Sequence, residues 1–110
     1  MSDRADMSRT PEMVEALHPE GKSPTRVNKA SYDAYRGAIL DCLKPHPDGR
    51  TLADLEIDLL DAVPEQFHSP SGGCMWWLMT VKLDLEARGL VERVPGAKPQ
   101  RLRLRLRRDA

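Results

Sequence analysis

CMWWLMTVKLDLEARGLVERV, residues 74–94, decides how this chain folds. Cys74, Leu78, Val81 and Leu85 recur at spacings of four, three and four, so a helix places all four on one side. Gly89 stands where a helix commonly stops in a left-handed residue. Gly89 to Val94 then reads as a strand. Ser69-Pro70 has the form of an N-cap followed by proline in the first turn, although Gly72 and Gly73 weaken that turn.

Downstream, Pro95-Gly96-Ala97-Lys98-Pro99 is a turn, and Gln100 to Arg107 alternates. Leu102, Leu104 and Leu106 share one face, and Arg101, Arg103, Arg105 and Arg107 share the other. The two strands are expected to form a C-terminal hairpin. Upstream, Thr51-Leu52-Ala53-Asp54 is a capping box. It opens a second helix with Leu52, Leu55 and Leu59 buried, Ile57 and Leu60 on its flanks, and Pro64 at its end. Before it, Tyr32, Tyr35, Ile39 and Leu43 mark a first helix from Ser31 to about Lys44, capped by Ser31 and ended by Pro45. Residues 12–17 and 25–28 flank a cluster of turn formers and are expected to pair as a short N-terminal hairpin. Residues 1–11 are polar and aperiodic, a tail in front of a single domain over 12–108.

The order is hairpin, three helices, hairpin, an α+β arrangement. Over Val81 to Arg93 the chain resembles the winged helix-turn-helix proteins of bacteria, whose third helix ends in a Leu-x-x-x-Gly-Leu-Val-x-Arg type of pattern, here Leu85 to Arg93. Tyr32-x-x-Tyr35, Trp76-Trp77 and Asp84 to Gly89 are also similar to a small bacterial family of single winged-helix domains with no assigned activity. The resemblance implies a winged helix: a three-helix core with a C-terminal wing, preceded here by the N-terminal hairpin. By fold analogy alone it implies DNA binding and a part in transcription regulation.

At 110 residues, with 40% apolar and 31% charged, the composition is that of one globular domain. No apolar run approaches the roughly 20 residues that cross a bilayer, and the N-terminus does not read as a signal peptide. A cytoplasmic location follows as an expectation. Seventeen basic and 17 acidic residues cancel, so charge exerts no global pull toward DNA. Its distribution is uneven. Thr51 to His68 holds Asp54, Glu56, Asp58, Asp61 and Glu65 without a Lys or Arg, whereas Lys98 to Arg108 holds six bases and no acid.

Two surfaces emerge as candidates. Arg101, Arg103, Arg105 and Arg107, with Lys98, form a row suited to phosphates. The bland alternative is that an edge strand carries outward charge to block edge pairing, or that these arginines meet the acids of the second helix. The side of the third helix opposite Leu78 carries Trp76, Met79, Thr80, Leu83 and Ala87 where a DNA-reading helix would carry Arg, Lys, Asn or Gln. Trp76, Met79 and Leu83 therefore need a cover. The N-terminal hairpin, through Val14, Leu17 and Val27, is one; a second copy or another protein is the other.

Chemistry finds little support. Cys42, His46, His68 and Cys74 fit no zinc spacing, and Cys74 falls on the core side with no base to activate it. The loop at Ser69, Ser71, Gly72 and Gly73 lacks the phosphate-loop pattern. No enzyme, cofactor, metal or small-molecule substrate is expected. The expected function is a DNA-binding or transcription-associated module, with a protein-interaction module as the alternative.

Overall fold

The structure, a computed structural model, describes residues 12–70 and 72–105. The N-terminal tail, Ser71, Leu106 and Arg107 lie outside the described residues. Met13–Ala16 (β1) and Thr25–Asn28 (β2) pair antiparallel, with Val14 opposite Val27. Alternation turns Ala16 and Val27 into the core.

Asn28 ends β2 and also caps the first helix, α1 (Lys29–Leu43), accepting a hydrogen bond from the Ser31 amide at 3.1 Å. The sequence points to Ser31 as the cap. The helix starts earlier because Asn28, still extended at φ −63° and ψ 128°, already offers an acceptor to the orphan amides. The stripe Tyr32, Tyr35, Ile39 and Leu43 is buried as its spacing requires.

After a turn, Arg50–Thr51 (β3) leads directly into α2 (Leu52–Ala62). Thr51 accepts from the Asp54 amide at 3.1 Å, the expected cap. Leu55 and Leu59 are buried, while Ile57 and Leu60 are exposed. A 3-10 turn, Glu65–Phe67, follows. The third helix, α3 (Met75–Ala87), starts at Cys74 and not at Ser69-Pro70. Ser69 turns both its amide and its hydroxyl onto the Gly73 carbonyl, at 3.0 and 2.9 Å, and so closes a loop instead of capping a helix. At the other end Gly89 takes φ +76°, with its amide on Glu86 and that of Leu90 on Leu85, the paired bonds of a Schellman stop.

Val91–Arg93 (β4) and Arg101–Leu104 (β5) form the expected C-terminal hairpin. The sheet has a third member. β3 pairs with β5, Arg50 opposite Leu102, in the order β3-β5-β4. β5 is thus central over Arg101 and Leu102, and not an edge strand throughout. Two residues are too few to display a period, so β3 left no signal in the sequence. The result is an α+β domain with three α-helices and two small antiparallel sheets among the described residues. Leu78, Val81 and Leu85 of α3 join Tyr35, Ile39, Leu55, Leu59, Val91 and Leu102 in one core. No described helix is long and apolar enough to cross a membrane.

Gly49 permits this sheet to close. Its φ is +96°, and an added Cβ would meet Val94 Cγ2 at 2.9 Å and Leu102 O at 3.1 Å. Gly49→Ala is expected to cost about 2 kcal/mol or more, against about 1 kcal/mol for Gly96→Ala, which also has positive φ but meets open space. Urea unfolding of the two variants checks this; equal midpoints would contradict the close approach at Gly49.

Candidate functional site: the outer face of the third helix

The ionisable side chains of α3 are used inside the molecule. Asp84 is fully buried. It accepts hydrogen bonds from the Tyr32 hydroxyl on α1, from the Leu17 amide just beyond β1 at 2.8 Å, and from Arg88 Nε at 2.9 Å. Arg88 Nη2 also lies 3.4 Å from the Glu15 carbonyl of β1. Burial, then the hydrogen bond to Asp84, push the Tyr32 phenol above its ordinary pKa, and the same carboxylate raises that of Arg88. On the other flank Lys82, buried, pairs with Glu86 at 2.9 Å, and Arg93 of β4 reaches the same carboxylate at 3.3 Å. Lys82 is thus closed to an outside ligand, while Arg88, at the C-cap of α3, is bonded to Asp84 through Nε with its side chain 42% exposed.

What remains outward is apolar. Met75 and Met79 are each 37% exposed and Trp76 is 54% exposed. Leu83, Thr80 and Ala87 are half-buried. The N-terminal hairpin does not supply the cover that Trp76 and Met79 need. It docks on the Asp84–Arg88 flank, with Val27 buried and Val14 and Leu17 half-buried. Trp76 is nevertheless held in place. Trp77 stacks on Tyr35 with ring centroids 5.3 Å apart, and Trp76 stands edge-on to Trp77 at 5.0 Å. Tyr35 donates to the Phe67 carbonyl at 2.9 Å, which anchors the aromatic row to the 3-10 turn.

Among the described residues, the bases of the C-terminal hairpin are not brought together as an even row. Arg103 pairs with Glu92 across β4 and β5 at 2.7 Å. Arg101 donates to the Gly49 carbonyl at 3.1 Å. Arg105 and Lys98 are exposed, and Arg107 lies outside the described residues. Among the described residues, the acids of α2 are not met by these arginines. Arg50 takes them instead, bidentate on Asp58 at 2.9 Å and longer to Asp54 at 3.5 Å.

The soft side chains stay apart. Cys74 is buried in the core, and His68 Nε2 faces the Val63 carbonyl at 2.9 Å. Cys42 is half-buried, and burial with Asp58 and Asp41 nearby holds its thiol above the ordinary pKa, away from the nucleophilic thiolate. No group of three or more His, Cys, Asp or Glu among the described residues is placed to hold a metal.

The sequence signal for the buried charges was present but ambiguous. Asp84 with Arg88 and Lys82 with Glu86 are both spaced i, i+4, the pattern of a solvated helix face. The burial of Asp84 and Lys82 comes from the two hairpins that pack beside them, and spacing alone does not reveal this.

Trp77→Ala is expected to cost about 3 kcal/mol, whereas Trp76→Ala changes stability by less than about 1 kcal/mol. Asp84→Ala should cost about 3 kcal/mol and Tyr32→Phe about 1 kcal/mol, because Leu17 and Tyr32 lose or leave a buried partner. Thermal and urea unfolding check all four; a Trp76 variant as destabilised as the Trp77 variant would show that Trp76 serves the core.

Residues 13–102 match the model of a family of unknown function (DUF6958), and the chain belongs to that family. No curated protein and no solved structure gives a significant match.

Proposed function

We propose that this member of the DUF6958 family is a winged-helix protein-interaction module that docks a partner on the outer face of α3. Support for the winged-helix reading comes from the element order. After the N-terminal hairpin run α1, β3, α2, α3, β4 and β5, with β3 closing the β4–β5 ribbon into a three-stranded sheet. In a helix-turn-helix protein that reads DNA, the outer face of the second helix of the motif supplies the base contacts.

One observation carries the interaction reading. The face that would read bases presents Met75, Trp76 and Met79 to solvent, while Lys82 and Arg88 are tied to Glu86 and Asp84. An exposed apolar patch of this kind is a mark of a protein contact, and tryptophan is among the residues most enriched at such contacts. Its single indole N–H makes no bidentate bond to a base edge, and the patch brings no positive charge to a phosphate.

A second reading, DNA binding through the wing, is favoured by Arg101, Arg105 and Lys98, which have no acid partner among the described residues. The two separate in a mobility-shift assay on random duplex DNA at about 50 mM salt, where nonspecific phosphate binding is strongest. The interaction module is expected to give no shift up to about 100 µM protein. A salt-sensitive shift that Arg101→Glu with Arg105→Glu removes would overturn it in favour of the wing.

A further inference from the structure

The chemistry around the apolar patch narrows what can occupy it. α2 exposes two further apolar side chains, Ile57 at 65% and Leu60 at 43%. Every ionisable residue of α2 is an acid: Asp54, Glu56, Asp58 and Asp61. Arg50 occupies Asp54 and Asp58. Glu56, Asp61 and, on the 3-10 turn, Glu65 have no ion-pair partner among the described residues. Glu56 sits at the junction of the two helices, its Oε2 3.6 Å from where a Cβ on Gly73 would stand. At about 100° per residue, Ile57 and Asp61 fall on the side of α2 opposite Leu55 and Leu59. Apolar and acidic side chains thus share the outer face of α2, and among the described residues no cation pairs with Glu56, Asp61 or Glu65.

We propose that the occupant of this face is an amphipathic helix of another protein, whose apolar anchors are flanked by Lys and Arg. This rests on the docking reading above and adds the partner's charge and secondary structure. A helix laid across two adjacent helices places anchors at i, i+3/i+4 and i+7 on an apolar stripe, and its flanks then meet Glu56 and Asp61. Polyanions and anionic membrane surfaces are repelled by the same acids. A second copy of this chain is disfavoured too. An isologous contact sets each patch against its copy, where Glu56 and Asp61 would meet a surface that carries acids and no cation of its own among the described residues.

The test uses the whole chain and two labelled synthetic peptides that share a leucine stripe at i, i+4, i+7 and i+11, one flanked by Lys and the other by Glu. Fluorescence anisotropy is expected to show the Lys peptide binding at least about tenfold tighter than its twin, with an affinity that falls as salt rises. Trp76→Ala should abolish binding, and Glu56→Lys with Asp61→Lys should erase the preference. Equal binding of both peptides, lost in Trp76→Ala, would keep the docking face and overturn the basic partner. So would a wild-type dimer by light scattering that Met79→Glu dissociates, because the face would then belong to a second copy. Failure of both peptides to bind overturns the basic helix as occupant. Binding of the Lys peptide that Trp76→Ala leaves untouched overturns the partner and the docking face together.

Discussion

The buried carboxylate of Asp84 is the constraint that orients the rest of this domain. Removing an ionised carboxylate from water costs several kcal/mol unless hydrogen bonds replace its hydration. Three segments supply those bonds: the end of the N-terminal hairpin through the Leu17 amide, α1 through Tyr32, and the last turn of α3 through Arg88. One acceptor shared by three donors fixes their mutual placement better than apolar contact alone, because a slip of any one leaves a buried polar group unpaired. Hairpin, first helix and third helix are therefore coupled through a single side chain.

That coupling also sets which way α3 faces. With Asp84 and Arg88 turned to the N-terminal hairpin, and Lys82 and Glu86 turned to Arg93 of the C-terminal hairpin, the apolar side chains of the helix left exposed are Met75, Trp76 and Met79. On α3 itself Lys82 is spent on an internal pair with Glu86, and Arg88 holds Asp84 through Nε. The same economy operates in the sheet, where Arg103 meets Glu92 and Arg50 meets Asp58. A chain whose segregated charge suggests a basic strand and an acidic helix thus folds with Arg103, Asp54 and Asp58 paired locally. Half-buried Glu56 and exposed Asp61 and Glu65 keep no ion-pair partner among the described residues.

The periodic parts of the fold were legible in the residues. Tyr32 to Leu43, Leu55 and Leu59, and Cys74 to Leu85 are core stripes whose spacing is enough to place them. Thr51 and Gly89 mark their helix ends by local chemistry that needs no tertiary context. What was not legible depends on neighbours. Ser69-Pro70 has the form of a cap, yet the Gly73 carbonyl captures the serine. Arg50–Thr51 is too short to announce a strand and is defined by its pairing with β5. Arg103 reads as part of a phosphate-binding row until Glu92 is seen opposite it. Trp76 and Trp77 are identical in type and adjacent, and only the position of Tyr35 makes one an internal side chain and the other an outward one.

Side-chain NMR tests the inward use of the α3 charges most directly. With Lys82 at 1% exposure and bonded to Glu86, and Arg88 Nε bonded to Asp84, both should give distinct N–H signals that persist against exchange with water near neutral pH. The ammonium of Lys44, on a side chain 68% exposed, supplies the solvated reference and should be averaged away. If the Lys82 and Arg88 signals vanish as the Lys44 signal does, the two cations are free in water, and an apolar outer face on α3 loses its cause.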